Sequence, residues 1–113
     1  MAEGAEDIDE ISVNWDEGGT VTVEQLDKVI LSRGGWATIL FKYREQNTRT
    51  QVWSKTKFTI RRYQKKSGVF RQQSKFNISS IAQAKLLCAA LMVWVDEAEQ
   101  AGESDDGSGA GED

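Results

Sequence analysis

KTKFTIRRYQKKSGVFRQQSKFNISS, residues Lys55–Ser80, is the stretch that decides the fold. Its first half belongs to a segment, Val52–Lys65, that reads as a long strand rich in β-branched and aromatic residues. Side chains along a strand alternate between two faces. Phe58 and Ile60 are thus expected on the core face, and Lys57, Thr59, Arg61, Tyr63 and Lys65 on the other. Lys66-Ser67-Gly68 is a hairpin turn. Val69–Ile78 returns, with Phe70, Phe76 and Ile78 expected on the core face and Arg71, Gln73 and Lys75 opposite them. From Lys55 to Lys75 the stretch holds eight cations and no carboxylate.

Beyond Ile78 the period changes. Ser80-Ile81-Ala82-Gln83 fits a capping box, in which the serine and glutamine side chains satisfy free amides of the first helical turn. Ile81, Ala84, Cys88, Leu91 and Val95 then recur at three- and four-residue spacing, which predicts a helix of about five turns ending near Ala98. LLCAALMVWV carries no charge between Lys85 and Asp96. A helix apolar nearly all round buries more than one stripe. The surplus at Leu86, Met92 and Trp94 predicts a homodimer interface drawn from Leu87, Leu91, Met92, Trp94 and Val95.

Upstream, Trp36–Arg44 (WATILFKYR) reads as a strand with Ala37, Ile39, Phe41 and Tyr43 on one face. Arg33-Gly34-Gly35 is a turn, and a first strand is expected around Lys28–Ser32. Glu45–Gln51 (EQNTRTQ) reads as a polar loop. The expected fold is α+β: a four-stranded antiparallel sheet followed by one C-terminal helix packed on one sheet face, the other face being basic.

The chain has 113 residues and a net charge of −4, enough for one domain. The charge is segregated. Residues 28–95 hold all fourteen bases and one acid, Glu45, a net of +13, while the flanks carry −17 between them. Residues 1–27 are expected to be an acidic, mostly disordered arm, residues 28–98 the folded basic domain, and residues 99–113 an acidic disordered tail. The N-terminal stretch has no signal-peptide pattern, and no segment reaches the length of a membrane span. The single Cys88 suits a reducing compartment, so a cytoplasmic location is expected, nucleoid-associated in a bacterium or nuclear in a eukaryote.

A one-sign domain of this size points to a polyanionic partner. Cations that track phosphates beside aromatic rings that stack on bases are the means of holding single-stranded nucleic acid. Candidate binding residues are Trp36, Lys42, Arg44, Lys57, Arg61, Tyr63, Lys65, Arg71 and Lys75, with Trp36, Tyr63 and Trp53 as stacking rings. Arg62 and Lys66 are expected to be solvated. Single-stranded DNA, or RNA, is the first partner. The rival reading is a module that docks an acidic protein. An enzyme is not expected: the chain has no histidine, no CxxC, no phosphate loop and no clustered carboxylates in its basic part. No cofactor and no metal is called for.

The segment IRRY, the Gly turn and basic run after it, and NISS leading into a capped helix resemble the C-terminal domain of the transcriptional coactivator called positive cofactor four, within the superfamily of single-stranded-DNA-binding transcriptional regulators. The resemblance covers Trp36–Glu97. Ile60, Arg61 and Tyr63 match the first motif, and Asn77, Ile78 and Ser79 the second. It implies a curved four-stranded sheet and one helix, a homodimer, binding of single-stranded DNA on basic strands, and a role beside the transcription machinery. Arg61 and Tyr63 carry over as DNA-facing residues, and Lys75 lies near the basic position before the helix. Gln64 stands where some relatives have a further aromatic, and Asn77 where relatives have Gly.

Overall fold

The computed structural model describes residues 7–12 and 21–103, and the backbone of 15–17. Four long antiparallel strands run β2 (Val21–Ser32), β3 (Trp36–Asn47), β4 (Lys57–Lys66) and β5 (Val69–Ile78), followed by helix α1 (Ile81–Gln100). A three-residue strand, β1 (Trp15–Glu17), pairs with the outer edge of β2, so the sheet order β1-β2-β3-β4-β5 is a plain meander. The α+β architecture, four long strands and a C-terminal helix, is as expected from the sequence, with β1 an addition.

Local chemistry sets the joints. Ser67 and Gly68 both have positive φ, 54° and 81°, which is the two-residue hairpin turn whose twist matches its flanking strands. Ser80 Oγ accepts from the Gln83 amide at 3.0 Å, and Gln83 Oε1 accepts from the Ser79 amide at 2.7 Å. The capping box is therefore present, with its glutamine reaching one residue further back than the standard pattern.

The strand limits differ from those expected. β2 starts at Val21, seven residues before Lys28, because Val21 and Val23 pair with Asn47 and Glu45 of β3. The segment EQLDKV tolerates a helix locally, and cross-strand pairing overrides that preference. Glu45, Gln46 and Asn47 continue β3 rather than opening a loop, and β4 begins at Lys57 rather than Val52. Between them the chain folds back so that Trp53 bridges Gln46, with Asn47 Oδ1 accepting from the Arg49 and Thr50 amides.

The larger correction concerns which face is buried. Residues paired directly across strands share a face. One row runs Lys28–Phe41–Thr59–Asn77, the next Ile30–Ile39–Arg61–Lys75, and Ala37 pairs with Tyr63. Ala37, Ile39, Phe41 and Thr59 on this inner face are wholly buried. Phe58 and Ile60 therefore lie on the outer face, not in the core, while Thr59, Arg61 and Tyr63 lie inside. In β5 the parity also breaks: Ser74 pairs with Arg62 and Gln72 with Tyr63, which leaves Gln73 as an extra residue. Such a bulge reverses the alternation. Phe70 is thereby turned to the inner face and buried, whereas Phe76 is on the outer face and exposed. Two further irregularities, at Leu26 and Leu31 in β2, bend the other edge.

The layer that covers the inner face is not the helix. Helix α1 has no buried residue. The cover is the acidic N-terminal segment: a 3-10 turn, Ile8–Glu10, capped by Asp7, whose side chain accepts from the Asp9 amide. Ile8 and Ile11 are buried in one cluster with Val23, Ile39, Phe41, Tyr63 and Phe70. The Lys28 ammonium donates to the carbonyls of Ile8, Asp9 and Ile11 at 3.3, 2.9 and 2.8 Å. Burial lowers its pKa from the usual value, against the pull of Asp9. Residues 7–12 and 21–27 thus belong to the folded domain, and the expected boundary at Lys28 is corrected. Two isoleucines and a lysine that uses all three donors outweigh the acidic composition of the segment. Apart from the backbone of β1, the remainder of the expected arm and the tail beyond Glu103 lie outside the described residues.

If the N-terminal turn is core, Ile11→Ala should cost about 2–5 kcal/mol. Ala at Leu26, a residue exposed in a bulge, should change stability by less than about 0.5 kcal/mol. Urea unfolding of the two variants checks this; equal small losses would return the segment to the status of a loose arm.

Candidate nucleic-acid interface

The hairpin β4–β5 carries Lys57, Arg61, Arg62, Lys65, Lys66, Arg71 and Lys75 and no acid. Strand alternation and the bulge at Gln73 divide these cations between both faces. Lys57, Arg61, Lys65 and Lys75 lie inside, and Arg62, Lys66 and Arg71 outside. Strand β5 is the last of the sheet, and every residue from Arg71 to Asn77 is exposed. The result is a cationic ridge at the sheet edge, not a single basic face.

The nine sequence-predicted residues scatter accordingly. Lys65, Arg71 and Lys75 are exposed on the ridge, Lys65 with its ammonium 5.3 Å from the Phe70 ring. Arg61 is 7% exposed, and its Nη1 donates to Gln72 Oε1 at 3.2 Å. Tyr63 is 3% exposed and belongs to the core cluster. It has no ring face to offer a base, which corrects its expected stacking role. Its neighbours Ala37 and Phe70 are the reason. Trp36 is half-buried on the outer face, where the Arg62 guanidinium lies 4.5 Å from its ring centre. Arg62 is therefore stacked rather than simply solvated, an arrangement that draws on the negative face of the indole.

Lys42 and Arg44 stand apart on the outer face of β3. Arg44 bonds Glu24 at 2.6 Å and lies 3.9 Å over the Trp53 ring, so it holds the 48–56 loop to the sheet. Lys57 donates to Glu45 at 2.8 Å. The ion pairs among the described residues use Arg33, Arg44 and Lys57, and leave Lys65, Lys66, Arg71 and Lys75 without a carboxylate partner there.

At one end of the inner face the sheet curls enough for β2 and β5 to line a common cleft of about 190 Å³. Its charged and polar lining is Tyr43, Glu45, Arg61, Lys75 and Asn77. Sequence reasoning missed Tyr43, Asn77 and Gln72. The only signal for them was the position of Asn77 beside the helix lead-in, and the bulge that turns Gln72 to the inner face, opposite Tyr63 and within reach of Arg61, leaves no mark in the sequence. The dimer candidates Leu91, Met92, Trp94 and Val95 are exposed on α1, Trp94 by 63%, and Leu87 is half-buried. Among the described residues no helix is long and apolar enough to cross a membrane, and no three potential metal ligands converge.

The hydrogen bond that Lys57 donates to Glu45 raises the Lys57 pKa above 10.5, and burial raises that of Tyr43 above 10.0. Both groups hold their protons more tightly folded than unfolded. Their contribution is complete below those values and is lost as pH rises through the raised ones. The urea midpoint should therefore fall above about pH 10, and Lys57→Met should flatten part of that fall. In the same range a tyrosinate absorbance titration should find the Tyr43 ring ionising late. Tyr63→Ala should destabilise by about 3–5 kcal/mol; a variant of unchanged Tm and weakened nucleic-acid binding would restore Tyr63 as a stacking residue. No protein-family model, curated protein or solved structure matches the chain.

Proposed function

We propose that this protein is a non-enzymatic single-stranded DNA-binding regulator of transcription that grips the strand backbone along the β4–β5 ridge. The observation that carries the reading is a hairpin with seven cations and no acid whose outer strand is exposed at every residue from Arg71 to Asn77. A ridge charged on both faces suits a flexible strand that can wrap an edge, whereas a duplex needs a broad face or a helix for its groove. The backbone path is Lys65, Lys66, Arg71 and Lys75. Arg62 stacked on Trp36 offers a planar surface for bases. The resemblance of IRRY and NISS to the positive cofactor four family favours DNA and transcription over an acidic protein partner.

The working unit is a homodimer. Val29, Leu40, Ile60 and Phe76 pair directly across the four long strands and form an apolar band on the outer face. Val29 and Phe76 are exposed, as are Leu86, Leu91, Met92, Trp94 and Val95 on α1. One chain thus carries two uncovered apolar surfaces, a helix and a sheet band. A second copy covers both, and burial of that area drives association.

Labelled single-stranded DNA should bind at low salt, with a log–log salt slope of about −0.7 per phosphate neutralised. Lys65→Ala, Arg71→Ala and Lys75→Ala should each make the slope shallower by about 0.7, read by fluorescence anisotropy. Absence of binding at low salt, or binding indifferent to salt, would sink the reading. Trp94→Glu should convert the dimer to monomer or unfold it, since an unpaired charge cannot be buried; a monomeric wild-type mass in light scattering at high micromolar concentration contradicts the dimer.

A further inference from the structure

We propose that the cleft at the curled end of the inner face binds a phosphate monoester. The inference rests on the strand-binding reading only for one source of that phosphate, the end of a nucleic-acid strand. The other source is a free mononucleotide.

The cleft is built by the curvature of the sheet. Val21 and Val23 of β2 close one side, Lys75 and Asn77 of β5 the other, and Arg61 of β4 lies between them. Its volume of about 190 Å³ is below the range of roughly 300–1,000 Å³ that accepts a drug-sized ligand. It suits one tetrahedral group with its first waters. A strand interior would have to enter and leave, and the valine wall stands on one of those routes.

The charges favour a dianion. Arg61 and Lys75 face the cleft, paired directly across β4 and β5. The opposing carboxylate of Glu45 is matched by Lys57 at 2.8 Å. A phosphate monoester carries about −1.5 to −2 at neutral pH, against −1 for an internal diester. Arg61 is mostly removed from water, and its guanidinium is aimed by Gln72. A planar fork of donors in a low-dielectric site is well matched to phosphate oxygens.

Two neutral donors complete the set. Thr59 Oγ1 donates to Asn77 Oδ1 at 2.7 Å, which turns the amide nitrogen of Asn77 away from Thr59 as a donor. Tyr43 contributes a phenol that stays protonated well above neutral pH, because burial raises its pKa.

The test compares one short single strand bearing a 5′-phosphate, a 3′-phosphate or hydroxyl ends, by anisotropy with the full-length protein. ³¹P NMR line broadening of a nucleoside monophosphate and of inorganic phosphate forms the second arm. A phosphorylated strand should bind about tenfold more tightly than its hydroxyl counterpart, the effect of one charge-assisted contact. Asn77→Leu should bring that ratio to about one. Tyr43→Phe, which keeps the buried ring and loses only the hydroxyl, should reduce it. Equal affinities for all three strands together with no ³¹P broadening overturn the cleft and leave strand binding standing. Broadening of the mononucleotide signal with no strand bound upholds the cleft and overturns the strand reading. Preference for the phosphorylated strand that survives both substitutions also overturns the proposal, because the phosphate is then held elsewhere.

Discussion

One ammonium group, that of Lys28, fixes the second layer of this protein. An open sheet with Ile39 and Phe41 on one face needs something to cover them, and α1 does not, since none of its residues is buried. The cover is a turn of three residues, too short to hold its shape alone, because a single hydrogen-bonded turn fixes many dihedrals for little return. Lys28 resolves this by donating to the carbonyls of Ile8, Asp9 and Ile11, which ties the turn and the residue after it to β2. The lowered pKa of the lysine measures the burial that this position entails. Arg33 and Asp9 add an exposed ion pair at 3.4 Å, a weak supplement by comparison.

The elements were legible in the sequence because their signals are local. The Ser67-Gly68 turn, the Ser80–Gln83 cap and the aromatic run from Trp36 each need only a few neighbouring residues. Face assignment failed because it depends on parity over a whole strand, and one extra residue inverts everything beyond it. Gln73 is such a residue, and nothing in RQQSKF distinguishes it from its neighbours. In β4 the error had another source. Arg61 and the polar Thr59 belong to residue types that are seldom buried, so composition points to Phe58 and Ile60 as the core. The register shows the reverse. For the N-terminal segment a signal did exist: Ile8 and Ile11, three residues apart, fit one side of a 3-10 turn. The surrounding acids concealed it.

The candidate site was legible as composition and not as geometry. The acid-free run from Lys55 to Lys75 located the ridge, while the assumption of strict alternation placed its charges on one face. Outside the hairpin, Arg33 and Arg44 each meet a carboxylate, and Lys28 meets three carbonyls. Within it, Lys57 meets Glu45, so the charge left for a ligand lies toward the turn and along β5.

The two rows of β5 explain how so small a chain can serve both uses proposed for it. On its outer side Phe76 extends the apolar band of Val29, Leu40 and Ile60. On its inner side Lys75 stands across from Arg61 at the cleft. Period-two alternation puts neighbouring residues on opposite faces, so a substitution at one face leaves the other face's row in place. A helix could not do this within ten residues, because its apolar and charged stripes share one cylinder and compete for width. Self-association on the band and polyanion binding on the ridge are then separable. Covering the band with a second copy leaves Lys65 and Lys75, on the opposite side of the sheet, open to a ligand. In the proposed dimer two such ridges would share one particle, and a strand long enough to reach both would gain from the raised local concentration of the second. The physical requirement for that gain is the rigidity of the hairpin, which the Ser67-Gly68 turn and the continuous pairing from Phe58 to Lys66 provide.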